Sequence, residues 1–300
     1  MRIAVTGASG FIGGAIATAL VADGHSVIGF GRRLSGWNGD YRQWDLARTP
    51  LADAPEVDAV IHAAADTDDR AALAPAMRAN RDGTFRALVA FPGARFVHLS
   101  TSSVYDAFTP TIDAVETDGQ AQFFLSTYSR SKVAAEREVA RVGGVILRPH
   151  AVYGPGDTTL LPRVLAGVHG RHLRLPNGAR VLHTLTHIDN LLQAVRLSLA
   201  AQLEPGSTRI YNVGDDAPVM LDEVLAELLA KQGRADVTLT SIPYRAAFAA
   251  AAVSERLNRA GLSRYAVSQV GLQRTLDLTA ARHELGYRPA ATSLDGAEHW

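Results

Sequence analysis

The sequence opens with Arg2-Ile-Ala-Val-Thr-Gly7-Ala-Ser-Gly10-Phe-Ile-Gly13, and the fold prediction starts from this stretch. Its first residues predict a β-strand, and residues 11–22 predict a helix because their apolar side chains recur near helical spacing. The glycines between them let the backbone turn tightly and approach a pyrophosphate, toward which a helix N-terminus directs free N–H groups. An ordinary glycine-rich turn is the alternative. We expect a dinucleotide to bind here, on Gly7, Ser9, Gly10, Phe11, Ile12 and Gly13.

Short apolar strands alternate with longer amphipathic stretches over the first half of the chain. The predicted strands cover residues 3–6, 27–30, 57–62, 96–99 and 145–147, and the predicted helices cover 11–22, 69–89 and 127–141. This order is typical of an α/β fold, a Rossmann doubly wound parallel sheet. After residue 149 the pattern loosens, with helices predicted at 221–229 and 246–257. We predict an NADP-binding Rossmann domain over 1–152 and a mainly substrate-binding domain over 153–300. A segment near 180–215 is expected to return to the Rossmann sheet.

Composition excludes several classes of function. Thirty basic residues balance thirty acidic ones, which removes the electrostatic argument for a nucleic-acid partner. No apolar run approaches the 18 or so residues that a membrane span needs. Cysteine is absent, which rules out disulfides and thiolate metal sites and is compatible with a cytoplasmic location. The ten histidines and the acidic residues form no metal-ligand pattern, so no metal is expected.

The end of the second predicted strand indicates which dinucleotide binds. An NAD site usually places an acidic residue there to accept a hydrogen bond from the ribose 2′-hydroxyl. This chain has Gly31-Arg32-Arg33 instead. A guanidinium can hold a 2′-phosphate by charge-assisted hydrogen bonds, so the sequence predicts NADP, with NAD less favoured. Arg32 is the first candidate and Arg33 the second; solvated surface arginines are the alternative.

A tyrosine and a lysine four residues apart lie on the predicted helix over 127–141. This spacing places Tyr128 and Lys132 on one helical face. A phenol with a pKa near 10 is a poor proton carrier at neutral pH, and a nearby ammonium lowers that pKa. The segment Ser100-Thr-Ser-Ser-Val-Tyr105 follows a strand at the sheet edge where ligands bind. A hydroxyl there, from Thr101 or else Ser102, would hydrogen-bond a substrate oxygen beside the tyrosine.

Together with Arg148-Pro-His-Ala-Val-Tyr-Gly-Pro-Gly156, these motifs resemble the extended short-chain dehydrogenase/reductases, the NAD(P)-dependent epimerase/dehydratase superfamily. The resemblance covers nearly the whole chain. It implies that Tyr128 is the general acid in reduction and the base in oxidation. It implies that Lys132 binds the nicotinamide ribose and that Thr101 polarises the substrate oxygen. Asn80 matches the buried asparagine of the family and is expected to be one of the catalytic residues. The further cofactor contacts that we expect are Asp45, Leu46, Ala63, Ala64, Ala65 and Pro149.

Three departures argue against a nucleotide-sugar substrate. Ser102 and Ser103 stand where the dehydratases carry an Asp-Glu pair. Ala151 and Leu182 stand where sugar-nucleotide enzymes usually place an asparagine and an arginine, although Arg180 or His183 could restore the charge if the register differs. The rest resembles the 3β-hydroxysteroid dehydrogenase-like and dihydroflavonol reductase-like branch. That branch implies a small hydrophobic ketone or alcohol as substrate.

Other assignments stay open at the level of sequence. A nucleotide-sugar epimerase with tightly bound NAD and a non-catalytic NADP-binding sensor are the alternatives to a reductase. The segment 106–126 contains Phe108, Phe123 and Phe124 and either lines an apolar pocket or packs a loop. His150 is a candidate substrate contact, and Asp189 is a predicted helix N-cap. The family often forms homodimers, so a homodimer is possible.

Overall fold

A computed structural model describes residues 1–257 and 261–300. The strands are β1 (Arg2–Thr6), β2 (Ser26–Gly31), β3 (Asp40–Gln43), β4 (Ala59–His62), β5 (Arg95–Leu99), β6 (Thr111–Ala114), β7 (Gly144–Pro149), β8 (Val152–Tyr153), β9 (Val168–His169), β10 (His172–Pro176), β11 (Leu182–His183), β12 (Thr186–His187), β13 (Thr208–Val213), β14 (Val219–Met220), β15 (Thr238–Ile242) and β16 (Arg274–Leu276). The helices are α1 (Phe11–Ala22), α2 (Leu73–Met77), α3 (Gly83–Ala90), α4 (Thr127–Val142), α5 (Leu160–Ala166), α6 (Ile188–Ala200), α7 (Leu221–Lys231), α8 (Tyr244–Arg256) and α9 (Arg264–Gly271).

Seven parallel strands form the central sheet in the order β13-β7-β5-β4-β1-β2-β3. Alternate side chains of the strands enter two separate apolar layers, because successive residues of a strand point to opposite faces. Ile3 and Val5 pack with α1 and α6, whereas Ala4, Ile28 and Val60 pack with residues of α3 and α4. A sheet covered by helices on both faces is the doubly wound architecture, which confirms the predicted fold class.

The two halves of the chain exchange strands. Edge strand β13 comes from the second half and pairs with β7 along its whole length. In return, β6 from the first half joins the sheet β14-β11-β16-β6 of the second half. A further sheet, β15-β10-β9, lies in the second half. The assignment of these halves to cofactor and substrate stays a prediction.

The helix expected over 69–89 begins later than its polar pattern indicates. Residues before Leu73 form two short turns instead, in which the carboxylates of Asp66 and Asp68 accept from the backbone N–H two residues on. Such side-chain bonds compete with helix formation. The N-cap of α6 is His187 rather than Asp189, because the imidazole accepts from the Asp189 N–H. No helix in the described part of the chain is long and apolar enough to cross a bilayer.

Candidate active site

The turn between β1 and α1 forms a backbone cradle at the N-terminus of the helix. Gly7 has a φ of +76°, and its carbonyl accepts from the N–H of Gly10 at 2.9 Å. A Cβ on Gly13 would lie 2.2 Å from that carbonyl oxygen, and a Cβ on Gly7 would lie 2.7 Å from the nitrogen of Ala64. Only glycine fits at these two positions. Phe11 begins α1, and no side chain caps the helix, so its first N–H groups fit the phosphates of a dinucleotide.

The predicted 2′-phosphate residues lie beside this cradle. Arg32 and Arg33 are exposed directly after β2. Their backbone carbonyls are held by Gln43 and Tyr41, whose side chains donate to them at 3.2 and 2.9 Å. A Cβ on Gly31 would lie 2.7 Å from the hydroxyl oxygen of Ser9, so Ser9 borders the same end of β2. The loop geometry is compatible with a phosphate between a serine hydroxyl and two guanidinium groups.

The other expected cofactor contacts follow neighbouring strands. Ala63, Ala64 and Ala65 leave the carboxyl end of β4, and the N–H of Ala64 donates to Thr6. Pro149 ends β7. Asp45 accepts from the N–H of Ala47 and forms an ion pair with Arg48 at 3.3 Å, and Leu46 is buried against the position of Gly83. Asp45 and Leu46 follow the carboxyl end of β3, so all these residues lie at the carboxyl edge of the sheet, where the fold binds its ligands.

Tyr128 lies in the first turn of α4, which begins after Ser126 caps it by accepting from the N–H of Ser129. Its phenol lies near the Thr101 hydroxyl. Burial and the neighbouring Tyr265 raise the pKa of Tyr128, and the Thr101 hydroxyl only partly opposes them. The lowering that the spacing to Lys132 predicts is therefore not present in this state. The phenol keeps its proton at neutral pH.

The ammonium of Lys132 is directed to β5 instead. It is buried, and its Nζ donates to the carbonyl of Leu99 at 2.6 Å and to Nε2 of His98 at 3.2 Å. An ammonium has three donors, so one N–H remains for a ribose hydroxyl. Burial lowers the pKa of Lys132 to about 8, although Glu136 opposes the change. Because the ammonium only donates, Nε2 of His98 must accept, and its proton is therefore on Nδ1.

A pH dependence of cofactor binding follows from Lys132. If the ammonium binds the ribose, the affinity for NADPH is highest below pH 8, where Lys132 is charged. The affinity falls at higher pH as the amine loses its proton, because the bound cofactor favours the charged form. We expect the Kd of NADPH to rise by up to about tenfold per pH unit above 8. Cofactor fluorescence titrated at pH 7, 8, 9 and 10 measures it. Lys132→Arg stays charged and should remove the slope; the same slope in Lys132→Met would contradict the assignment.

Asn80 is buried in the π-helical turn Arg78–Asp82 between α2 and α3. Its amide oxygen accepts from the N–H of Asp66 at 2.7 Å. Its amide nitrogen donates to the carbonyl of Asp66 and to the hydroxyl of Ser131 at 2.9 and 2.8 Å. The asparagine therefore ties the loop after β4 to the helix that carries Tyr128 and Lys132. Asn80 thereby helps to position Tyr128 and Lys132.

The structure adds a residue that the sequence analysis missed. Tyr265 of α9 reaches the same site, where its hydroxyl lies 2.5 Å from that of Ser103. Ser103 in turn accepts from Thr101 at 3.0 Å, so the hydrogen bonds of Tyr265 reach the hydroxyl that lies near Tyr128. No spacing pattern in the sequence links α9 to the Ser100–Tyr105 segment. The contact arises only from tertiary packing.

The loop after β4 also contacts the second half of the chain. Asp69 forms an ion pair with Arg163 of α5 at 3.6 Å and accepts from the hydroxyl of Ser263. Asp69 thus joins the two halves of the chain beside the site. Phe108 and Phe123 of the 106–126 segment are exposed, and Phe124 is half-buried.

A buried ion pair between Arg148 and Glu136 anchors the Ser100–Tyr105 segment. Arg148 donates from Nε and Nη2 to the two carboxylate oxygens of Glu136 at 2.9 and 2.8 Å. The same carboxylate accepts from Ser100 at 2.6 Å and from Gln120 at 2.8 Å. The guanidinium also lies 5.0 Å from the ring centroid of Tyr105. These contacts hold the Ser100–Tyr105 segment against α4.

Comparison with known proteins agrees with this geometry. The model of the NAD dependent epimerase/dehydratase family matches residues 3–214. The chain is 33% identical to 4-hydroxy-2-methyl-3-oxo-4-farnesyl-3,4-dihydroquinoline-1-oxide ketoreductase of Stigmatella aurantiaca, over 99% of this chain and 95% of the relative. It is 29% identical to a 2-alkyl-3-oxoalkanoate reductase of Stenotrophomonas maltophilia (strain K279a), over 99% of this chain and 97% of the relative.

A solved structure shares the fold. The UDP-glucuronic acid 4-epimerase of Bacillus cereus, in complex with UDP-glucuronic acid and NAD, superposes with a TM-score of 0.74 at 22% identity. The match covers 100% of this chain and 97% of the epimerase. At this identity the likeness concerns the fold alone.

Proposed function

We propose that this chain, which belongs to the NAD dependent epimerase/dehydratase family, is an NADPH-dependent reductase of hydrophobic ketones. As an extended short-chain dehydrogenase/reductase it is an NAD(P)-dependent enzyme. The observation that carries the finer proposal is the approach of the Tyr128 phenol to the Thr101 hydroxyl, beside a buried Lys132 that donates to the carbonyl at the end of β5. Run in reverse, the same site would oxidise an alcohol.

The protonated state of Tyr128 suits the reductive direction. The bound nicotinamide supplies the hydride. Tyr128 holds a proton at neutral pH because its pKa is raised, and it gives that proton to the oxygen of the reduced carbonyl. Thr101 binds the same oxygen and keeps it next to the phenol. Lys132 uses its remaining N–H on the cofactor ribose and places a positive charge near the phenolate that forms.

The curated relatives support a ketone substrate. Both are named as reductases, and both names describe a substrate with an oxo group at position 3. The positions that would bind a sugar diphosphate give no such support in this chain. Arg180 is exposed and pairs with Asp222 at 3.8 Å, and Leu182 is exposed.

A substrate screen tests the proposed function. Purified protein is mixed with NADPH and ketones, aldehydes or nucleotide sugars, and the absorbance of NADPH is followed. We expect NADPH oxidation with long-chain ketones. Epimerisation of a UDP-sugar by protein that co-purifies with NAD would overturn the proposal in favour of an epimerase, and cofactor binding without turnover of any class would favour a sensor.

The choice of cofactor is tested at Arg32. We expect Arg32→Ala to weaken NADPH binding by about 10- to 100-fold, because a charge-assisted hydrogen bond contributes roughly 1.5–3 kcal/mol. NADH binding should stay within about twofold. The matched control is Arg42→Ala, which removes an exposed arginine of β3 that pairs with Asp40. Tighter binding of NADH than of NADPH by the unchanged protein would refute the NADP assignment.

We further propose a cytoplasmic homodimer that uses the outer face of α3 and α4. Phe85 and Val89, one helical turn apart in α3, are 53% and 62% exposed on this face. Arg81, Glu138 and Arg141 border it. A second copy related by two-fold symmetry would cover both side chains.

A further inference from the structure

Two side chains of β3 cross the end of β2 and contact the segment that carries the predicted 2′-phosphate residues. Tyr41 and Gln43 are two residues apart in β3, so their side chains lie on the same face of the sheet. The residues that pair with them in β2 are Gly29 and Gly31. Because neither glycine has a side chain, Tyr41 and Gln43 can reach across β2 to the residues that follow it.

The hydroxyl of Tyr41 lies against the backbone of Gly31. A Cβ on Gly31 would lie 2.4 Å from this hydroxyl oxygen and 2.7 Å from that of Ser9. The phenol therefore ends beside Ser9, a residue of the glycine turn that we expect to contact the cofactor. It donates there to the carbonyl of Arg33 at 2.9 Å. A carbonyl oxygen can only accept, so the direction of this hydrogen bond is unambiguous.

Gln43 makes the equivalent contact with the preceding arginine. Its amide nitrogen donates to the carbonyl of Arg32 at 3.2 Å, and this hydrogen bond also has one possible direction. Both arginines are thus held by their backbone. Their side chains are exposed, and within residues 1–257 and 261–300 their guanidinium groups form no ion pair or hydrogen bond. The two guanidinium groups are therefore available to an anion from solution.

The far end of the loop after β2 is held as well. The indole N–H of Trp37 donates to the hydroxyl of Thr18 in α1 at 3.0 Å. A Cβ on Gly39 would lie 2.3 Å from the indole ring, and a Cβ on Gly36 would lie 2.3 Å from the Cβ of Ser9. Contacts within the chain therefore pack this loop against the glycine turn. A loop that its own chain holds in place loses less conformational freedom when a ligand binds.

We propose that Tyr41 and Gln43 are positioning residues that make this protein selective for adenine nucleotides with a 2′-phosphate. They act through Arg33 and Arg32, whose backbones they hold beside Ser9. A nucleotide with a free 2′-hydroxyl, such as NADH, makes no ion pair with the two guanidinium groups, so its affinity does not depend on how they are placed. The inference rests on the proposed choice of NADP, and it adds the residues that set the selectivity.

Binding of adenosine 2′,5′-bisphosphate and of 5′-AMP, measured by titration calorimetry, tests this role without any turnover. Tyr41→Phe removes only the hydroxyl. We expect it to raise the Kd of the bisphosphate about fivefold, the effect of one lost hydrogen bond, and to change the Kd of 5′-AMP less than about twofold. Gln43→Met should act in the same direction with a smaller effect, because its hydrogen bond is longer and exposed.

Tyr287→Phe is the matched control. It also removes a phenol that donates to a main-chain carbonyl, that of Gly214 at 2.8 Å. Gly214 follows β13, which lies at the opposite edge of the sheet from β3. This variant should therefore leave the ratio of the two Kd values unchanged. Equal losses of affinity for the bisphosphate and for 5′-AMP in Tyr41→Phe would mean general damage to the site and would overturn the inference.

The part played by the arginines is tested in the double variant Arg32→Ala/Arg33→Ala. Adding Tyr41→Phe to it should change the Kd of the bisphosphate less than about twofold, because no guanidinium remains to be positioned. A loss as large as in the otherwise unchanged protein would mean that the phenol binds the phosphate itself, and the positioning role would be wrong. If the unchanged protein binds both nucleotides equally, the choice of NADP fails and this inference with it. A clear preference for the bisphosphate that Tyr41→Phe leaves unaltered would refute this inference alone.

Discussion

Tyr128→Phe is expected to lower kcat for ketone reduction by about a thousandfold, within the range for loss of a positioned proton donor. The phenol is the group that holds a proton next to Thr101. Phenylalanine keeps the ring and removes only the hydroxyl. Affinity for NADPH should stay within about twofold, because we assign the ribose contact to Lys132. NADPH absorbance gives kcat, and cofactor fluorescence gives Kd.

Tyr265→Phe is the matched control for this substitution. It removes the other phenol of the site, whose hydroxyl bonds to Ser103 rather than to Thr101. We expect kcat to fall by no more than about tenfold, the effect of one lost hydrogen bond. A larger loss in Tyr265→Phe than in Tyr128→Phe would assign the proton donor to Tyr265.

Arg148→Met is expected to lower the free energy of unfolding by about 3–5 kcal/mol, because it leaves the buried carboxylate of Glu136 without its counter-charge. Both side chains are only 2% exposed, so water cannot replace the guanidinium. Urea unfolding followed by circular dichroism measures the change. Removing both charges in the double variant Arg148→Met/Glu136→Met should recover most of the loss. A change under about 1 kcal/mol in the single variant would contradict the buried-pair argument.

The parts of the fold that follow from a local sequence pattern were predictable from sequence. The predicted helix 11–22 matches α1 because Gly10 begins it and Gly24 follows its end. The parallel sheet followed from strands that alternate with helices. The two-residue strands β11 and β14 were not predictable, because each exists only through pairing with a distant segment and has no periodicity of its own.

The candidate site was likewise only partly predictable from sequence. Spacing placed Tyr128 and Lys132 on one helical face, but it could not show where a long, flexible lysine side chain ends. That end is set by His98 and the carbonyl of Leu99, which the neighbouring strand presents. Tyr265 reaches Ser103 from α9, and no local pattern marks such a contact. The histidines 150 and 183 show no metal-ligand spacing, and their hydrogen bond joins the residue after β7 to β11 across 33 positions of the chain.

The exchange of strands between the halves has a consequence for synthesis on the ribosome. Strand β7 borders an open edge of the sheet until Thr208–Val213 has left the exit tunnel, because residues 150–207 must be made first. During that interval the nascent chain presents unpaired backbone N–H and carbonyl groups that can pair with another strand. Chaperone binding or fast translation over this interval would therefore favour the yield of folded protein, and a fragment that stops at residue 152 would keep the unpaired edge permanently.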